Sequence, residues 1–527
     1  MALDRRTFMN AGLKAGCLAA LTAGTPLRAG ASRPGPLAVL DYARFAHHVE
    51  RFNAMEPERP LNLVPNAQAW DWIAEHAPAF ECPDAQVEEI YWYRWWTFRK
   101  ALVRTPEGRV AAMEFYGRAP VSSAVGHHLM ESRWLRDRAV AQDILLYWLR
   151  GGTDGSPPKD EFKYSGWTIW AAYQRWLVTG DTAGLAAMFD DFARYYEGWE
   201  RLRMNADGSF WQFDVRDAME ESISGSRRDR NLRPPLNSYM YGNAVAMAKI
   251  ARLTGRAALA PMYEGKAKTL RDIVQDRLWD EQAQFFKVRY VHPGAADDDT
   301  LCDAREEIGF IPWYFDLPDA GRGYEAAWAQ LADPQGFGAP HGILTAERRH
   351  PRFRYSFAAA CEWNGPVWPF ATSQTLTALA NVLCSGRPAP VSARDYFHAL
   401  RTYARSQYRD GKPYIGEYLD GETGLWLHKD LERGRYYNHS TYCDLVINGL
   451  VGLRPEPGGR LVVQPQVPQG SWDWFCLDGV PFQGKLLTVL WDRDGSRYRR
   501  GAGLTVLADG ERIARSRRLE RLSARIG

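Results

Sequence analysis

Tyr241-Gly-Asn-Ala-Val-Ala-Met-Ala-Lys-Ile-Ala-Arg-Leu253 carries the period that decides the fold class. Tyr241, Ala244, Val245 and Ala248 fall at i, i+3, i+4 and i+7, a single stripe along an α-helix, and the pattern predicts a helix from Asn237 to Thr254. Similar patterns predict helices over Asp84 to Leu102, Gly126 to Arg150, Tyr164 to Leu177, Thr182 to Arg203 and Ala258 to Leu278. Further on they cover Gly323 to Leu331, Val367 to Leu383, Ser392 to Gln407 and Ser440 to Leu450. Long Gly/Pro/Asp-rich connections separate them, as in Gly151 to Lys159, Arg227 to Pro235 and Pro293 to Asp299. Helix hairpins joined in this way are expected to carry a site on the loops of one rim.

After Gly452 the texture changes to short β-rich runs bounded by turn residues, among them Arg460-Leu-Val-Val and Gly484-Lys-Leu-Leu-Thr-Val-Leu-Trp-Asp492. The chain therefore reads as mainly α over residues 32–454 with a small C-terminal β-rich domain over 455–527, too small to bury much by itself and expected to pack on the helices. Residues 1–31 read as an export signal instead. Asp4-Arg-Arg-Thr-Phe-Met9, the weakly apolar run Ala11 to Leu21 and the small residues near Ala29-Gly-Ala31 resemble a twin-arginine signal peptide, which implies a periplasmic or secreted protein. The apolar run is too short to span a bilayer, and no later run reaches that length.

A chain of 527 residues with 46% hydrophobic content buries a large core. Its formal net charge of +3 and the absence of a patterned basic stripe argue against nucleic acid or an anionic membrane as partner; the arginines between Arg512 and Arg525 read as a solvated face. Aromatics are in excess, with 21 Trp and 25 Tyr, and flat rings with a polar edge stack on sugar CH faces, although core packing takes up most of them. Six cysteines beyond residue 31 are dispersed without C-x-x-C or zinc spacing, so no structural metal is expected; disulfides and buried thiols both stay open. Asp297-Asp-Asp299 reads as a solvated acidic loop and not a calcium site. No cofactor is called for, and the oligomeric state is not encoded in any motif.

Two segments bring carboxylates among rings: Trp211-Gln-Phe-Asp-Val-Arg-Asp-Ala-Met-Glu-Glu-Ser222 and Tyr414-Ile-Gly-Glu-Tyr-Leu-Asp-Gly-Glu-Thr-Gly-Leu-Trp426. Cleaving a sugar acetal needs one acid to protonate the leaving oxygen and one base to activate water, so the pair suggests a glycosidase acting on an oligosaccharide or glycoside. Asp217 is the candidate acid, with Asp214 and Glu220 as alternatives, and Glu417 is the candidate base. The competing structural readings are a helix cap or an ion-pair partner of Arg216 or Arg227 for Asp217 and a turn carboxylate for Glu417.

Glu362-Trp-Asn-Gly-Pro-Val-Trp-Pro369 resembles the W-R-G-P-x-W segment of inverting glycosidases related to glycoside hydrolase family 63, including mannosylglycerate hydrolase-like enzymes, and departs from it at Asn364. In those relatives a segment of the form E-S-G-x-D-N supplies the acid and one of the form E-x-Y-x-x-x-T-G the base. Asp214 to Glu220 matches the first loosely; Glu417 to Gly424 matches the second, departing at Leu419. Tyr437 to Val446 stands where the relatives place their last barrel helix. The resemblance spans about residues 160 to 450 and implies an (α/α)6 toroid that hydrolyses an α-linked sugar with inversion.

Further candidates for holding substrate are Trp211 and Arg216 beside the first segment and Trp363, Asn364 and Trp368 around the Gly-Pro turn. Trp96 in Tyr91-Trp-Tyr-Arg-Trp-Trp96, His128 and Glu131 at a loop-to-helix junction, and Tyr437 and His439 complete the set, each with a core role as its alternative. A toroidal lyase or epimerase using His127-His128 or Asn438-His439 is a second reading, and a non-catalytic carbohydrate-binding protein is a third. Two acidic segments would repel the uronate that a lyase needs to neutralise.

Overall fold

The computed structural model describes residues 38–59, 61–115, 117, 119–151, 154–225, 227–354 and 361–526. The proposed export signal at 1–31 lies outside the described residues.

Among the described residues, nine α-helices after residue 84 build the toroid: α1 (Ala85–Ala101), α2 (Val125–Ser132), α3 (Arg138–Arg150), α4 (Thr168–Thr179), α5 (Phe189–Arg203), α6 (Pro234–Leu253), α7 (Ala260–Ile273), α8 (Pro369–Ser385) and α9 (Ala393–Ser406). Their ends follow from local chemistry. Asp84 accepts from Val87 N to start α1, prolines open α6 and α8, and Ser392 with Asp395 forms a capping box on α9. Gly180 and Gly386, both left-handed, stop α4 and α8.

Six elements form a closed inner ring: α2, α4, α6, the 3-10 helix Glu307–Phe315, α8 and the π-helical turn Leu445–Leu450, each packed on the next. The last meets the first through Glu131 of α2, whose carboxylate accepts from the backbone N–H groups of Tyr442, Cys443 and Asp444. α3, α5, α7, the 3-10 helix Tyr324–Gln330, α9 and α1 form the outer layer. This is an (α/α)6 toroid. Side chains close its axis: Trp167 packs against His127 at 5.0 Å, Tyr239 at 4.7 Å and Tyr314 at 5.8 Å.

Two differences from the sequence reading stand out. The pattern from Gly126 to Arg150 is two helices broken after Ser132. The fourth inner element has no counterpart in the sequence pattern, because Glu307–Phe315 is short, apolar on every side and contains Pro312.

Strand β1 (Ala79–Glu81) comes from ahead of the toroid. The β-rich region supplies β2 (Leu453–Glu456), β3 (Arg460–Val463), β4 (Trp474–Phe482), β5 (Lys485–Asp492), β6 (Gly503–Ala508), β7 (Glu511–Ser516) and β8 (Leu522–Arg525). One antiparallel sheet has the order β1-β4-β5-β6-β7; β2, β3 and β8 make a second. Asp478 on β4 ties the N-terminal segment down by accepting from Val39 N at 2.7 Å and Leu40 N at 2.9 Å. Gln483 donates to the carbonyls of Leu177 and Val178, and Arg454 to Asn381, so the sheets sit against the C-terminal ends of α4 and α8. All six cysteines among the described residues are free thiols.

Candidate active site

Five of the six inner elements are entered through segments that cross the same mouth of the toroid, and these lead-in segments carry the chemistry. Glu114 precedes α2, Tyr164 and Ser165 precede α4, Asp214 to Glu220 precede α6, Cys361 to Trp368 precede α8, and Glu417 to His439 precede the sixth element. The Trp368 and Glu417 segments are tied by reciprocal bonds between Val367 and Leu419 of 2.9 and 3.0 Å. Asp420 closes the turn after Glu417 by accepting from Glu422 N and Thr423 N.

Glu417 is buried at 5% exposure. Its Oε1 accepts from the Cys361 thiol at 3.8 Å; His428 Nε2 stands 3.3 Å from Oε2 but out of hydrogen-bond alignment, which leaves that oxygen without a hydrogen bond among the described residues. Burial lifts its pKa to about 7, Arg433 pulling down and Glu220 pushing up. Glu114, which the sequence reading missed, is lifted to about 8 by burial and by the charges of Glu417 and Glu220. Its Oε1 lies 3.4 Å from His439 Nδ1, and its carbonyl accepts from Asn438 N at 2.8 Å. Glu220 is half-buried, and its charge acts on Glu114, Glu417, Cys361, Tyr164 and Tyr437. Three carboxylates therefore share one low-dielectric mouth.

Backbone strain gathers at the same place. Ala218, Glu221, Cys361 and Tyr436 are non-glycine residues with φ of 63°, 56°, 71° and 62°, conformations that cost on the order of 1 kcal/mol each and persist where surrounding structure enforces them. Beside them Trp363, Trp368 and Tyr418 stack as three parallel rings, with centroids 4.3 and 4.8 Å apart and tilts of 20° and 12°. Trp368 Nε1 donates to the Glu362 carbonyl at 2.6 Å; Trp363 Nε1 and Asn364 Oδ1 have no hydrogen bond among the described residues. Tyr437 OH meets His439 Nδ1 at 3.1 Å.

Other sequence candidates have structural duties. Asp217 Oδ1 accepts from Ser165 Oγ at 2.6 Å and Oδ2 from Arg233 Nε at 2.8 Å, with neither ionic side chain exposed. Its partner is thus Arg233 and not Arg216 or Arg227. Trp211 carries the guanidinium groups of Arg203 and Arg230 over its ring at 4.4 and 4.5 Å, and Arg216 lies over Tyr164. Trp96 is fully buried between Phe52, Tyr93, Lys100 and Tyr436, a core position with no face for a ligand. His128 is buried with Nε2 2.7 Å from the Asn438 carbonyl, and Glu131 is the ring-closing cap; both correct the expectation of hydroxyl binders.

An (α/α)6 inner ring with carboxylates crowded at its N-terminal mouth has the groups that acid–base cleavage of a glycosidic bond requires. The chain belongs to the mannosylglycerate hydrolase MGH1-like glycoside hydrolase family, whose domain matches residues 118–440. Residues 453–515 match the C-terminal domain of glycosyl hydrolase family 65. A solved structure named sialidase is 43% identical, covering 94% of this chain and 46% of that one, with a TM-score of 0.89. The chain spans less than half the length of that relative. A family 78 rhamnosidase of Bacillus sp. GL1 (14% identity, 79% and 40% coverage, TM-score 0.56) has a similar fold. So does a family 63 mannosylglycerate hydrolase of Thermus thermophilus in complex with glucose (14% identity, 67% and 98% coverage, TM-score 0.51).

Proposed function

We propose that the protein is an exported, inverting exo-glycosidase for a neutral α-linked sugar, with Glu417 as general base and Glu220 as general acid. The observation that carries this reading is the shared mouth of Glu417, Glu220 and Glu114, bordered by the Trp363/Trp368/Tyr418 stack. A proton donor must reach the glycosidic oxygen. Asp217, with both oxygens bonded and no exposure, does not meet that need, whereas Glu220 of the same segment is half-exposed and couples to Glu417. Glu417, lifted to about 7, is poised to take a proton from water near neutral pH. Glu114, held largely protonated, would donate a hydrogen bond to a substrate hydroxyl. The charges of Glu220 and of ionised Glu417 oppose an acidic sugar, so the activity named for the sialidase relative is not carried over.

Glycosyl fluorides test the assignment, since fluoride leaves without protonation. Glu220→Gln is expected to lose about 10³-fold on an aryl or natural α-glycoside yet turn over the matching α-glycosyl fluoride, releasing the β-anomer, while Glu417→Gln loses both. Retention of full activity by Glu220→Gln, or release of the α-anomer, overturns the mechanism.

A further inference from the structure

The opposite mouth of the toroid holds a second cavity, of about 580 Å³, where the C-terminal halves of the inner ring meet the β-rich region. Met130, Trp176, Lys249, Tyr314, Asn381 and Asn448 line it, one from each inner element, and Pro455 to Pro457 close its side. The aromatic packing around Trp167 separates it from the carboxylates at the other mouth.

Its polar groups are poorly partnered. Asp316 is exposed to the cavity, has the left-handed φ of 53°, and makes no side-chain hydrogen bond or close ion pair among the described residues; burial raises its pKa, and the charges of Arg454, Arg387 and Lys249 pull it down from a distance. Lys249 lies over the rings of Trp170 and Tyr173, with Nζ 5.7 and 5.1 Å from their centroids, and has no carboxylate within ion-pair distance among the described residues. The Asn448 amide likewise makes no hydrogen bond among them; it stands on the π-helical turn, a distortion frequent at functional sites. Tyr173 and Trp176 stack along the wall at 5.5 Å.

Asp316 and Lys249 are exposed to the cavity and Asn448 is half-buried at its wall, so all three present donors and acceptors that a ligand can engage. A carboxylate, an ammonium and an amide around aromatic rings fit a molecule that both donates and accepts over a compact apolar face. Arg252, Arg454 and Glu456 bring both signs of charge to the wall, which favours an uncharged ligand, and helix C-termini disfavour a carboxylate. We propose that this mouth is a non-catalytic binding site for a neutral saccharide of one or two sugar units. Pockets at domain junctions of this size hold ligands of that bulk.

Calorimetric titration of the Glu417→Gln protein with maltose, methyl α-mannoside and methyl α-rhamnoside, with glucuronate as the acidic control, tests the site. At least one neutral sugar is expected to bind, and Asp316→Asn, which keeps a residue tolerant of the left-handed backbone, is expected to weaken that binding about tenfold. Asn448→Ala should act in the same direction, and neither substitution should alter the melting temperature or, placed in the wild-type protein, hydrolysis. The site is overturned if no neutral sugar binds, if neither substitution changes the isotherm, or if glucuronate binds best. Binding that depends on Asp316 in a protein that hydrolyses no glycoside leaves the site standing and sinks the catalytic reading alone.

Discussion

Asp217 and Glu220 are three residues apart and have opposite fates, which four acids in eight positions could not foretell: Arg233, sixteen residues downstream, takes Asp217. Breaking that buried pair by Asp217→Leu is expected to cost about 3–5 kcal/mol, read as a lowered melting temperature, because an uncompensated guanidinium is left behind. Glu417 was legible from the rings around it. Glu114 was not, since one acid in Ala111-Ala-Met-Glu-Phe115 forms no pattern and its neighbours come from residues far along the chain. The pKa values of Glu417 and Glu114, about 7 and about 8 against an ordinary 4.5, set a sign for stability. The folded state holds these protons where the unfolded chain has released them, so stability is full below about pH 4.5 and falls as pH rises through the folded values. For Glu417 the loss is about 3 kcal/mol. Glu114→Gln is therefore expected to raise the melting temperature more at about pH 8 than at about pH 5, and kcat/KM of the wild type is expected to rise as pH passes about 7, where Glu417 ionises.

Among elements, the inner ring depends on close approach and on one buried cap. A Cβ at Gly126 of α2 would overlap the Trp167 indole, and one at Gly242 of α6 would overlap the Phe315 ring. Gly126→Ala is expected to destabilise by about 1–3 kcal/mol despite the better helix propensity of alanine, a contrast that denaturant titration checks. Glu131→Gln should cost about as much, because three backbone donors lose a charged acceptor. Periodicity gave α1, α4, α6, α8 and α9 within a few residues; the pattern from Thr182 to Arg203 is two helices, Thr182–Ala187 and α5, and the pattern from Ala258 to Leu278 ends in a π-helical turn after α7. It failed at the fourth inner element, where Glu307–Phe315 has no polar face to set a period and only its neighbours α6 and α8 define it as helical, whereas the π-helical Leu445–Leu450 falls inside the helix read over Ser440 to Leu450. The toroid was reached through resemblance of the Trp363 and Glu417 segments, not through helix counting.

For the whole molecule, the sheet topology couples the two ends of the chain. β1 pairs with β4 in register Ala79 to Asp478, and Asp478 holds Val39 and Leu40, so a protein ending at Gly452 would expose β1 as an unpaired edge and uncover the apolar ends of α4 and α8. Residues 38–452 expressed alone are expected to aggregate or to melt well below the full chain, measured by scanning calorimetry and light scattering. The sequence reading placed β-rich runs at the C-terminus but could not see that residues near position 80 belong to their sheet, because three buried residues carry no strand signature. The Glu131 cap has a temporal consequence. The carboxylate lies 311 residues before the first amide it accepts from, so during synthesis α2 waits with a buried-to-be charge until almost the entire toroid has left the ribosome. Ring closure is thus a late step, slow by topology, and dependent on a nascent chain kept from associating with its neighbours until the final hairpin arrives.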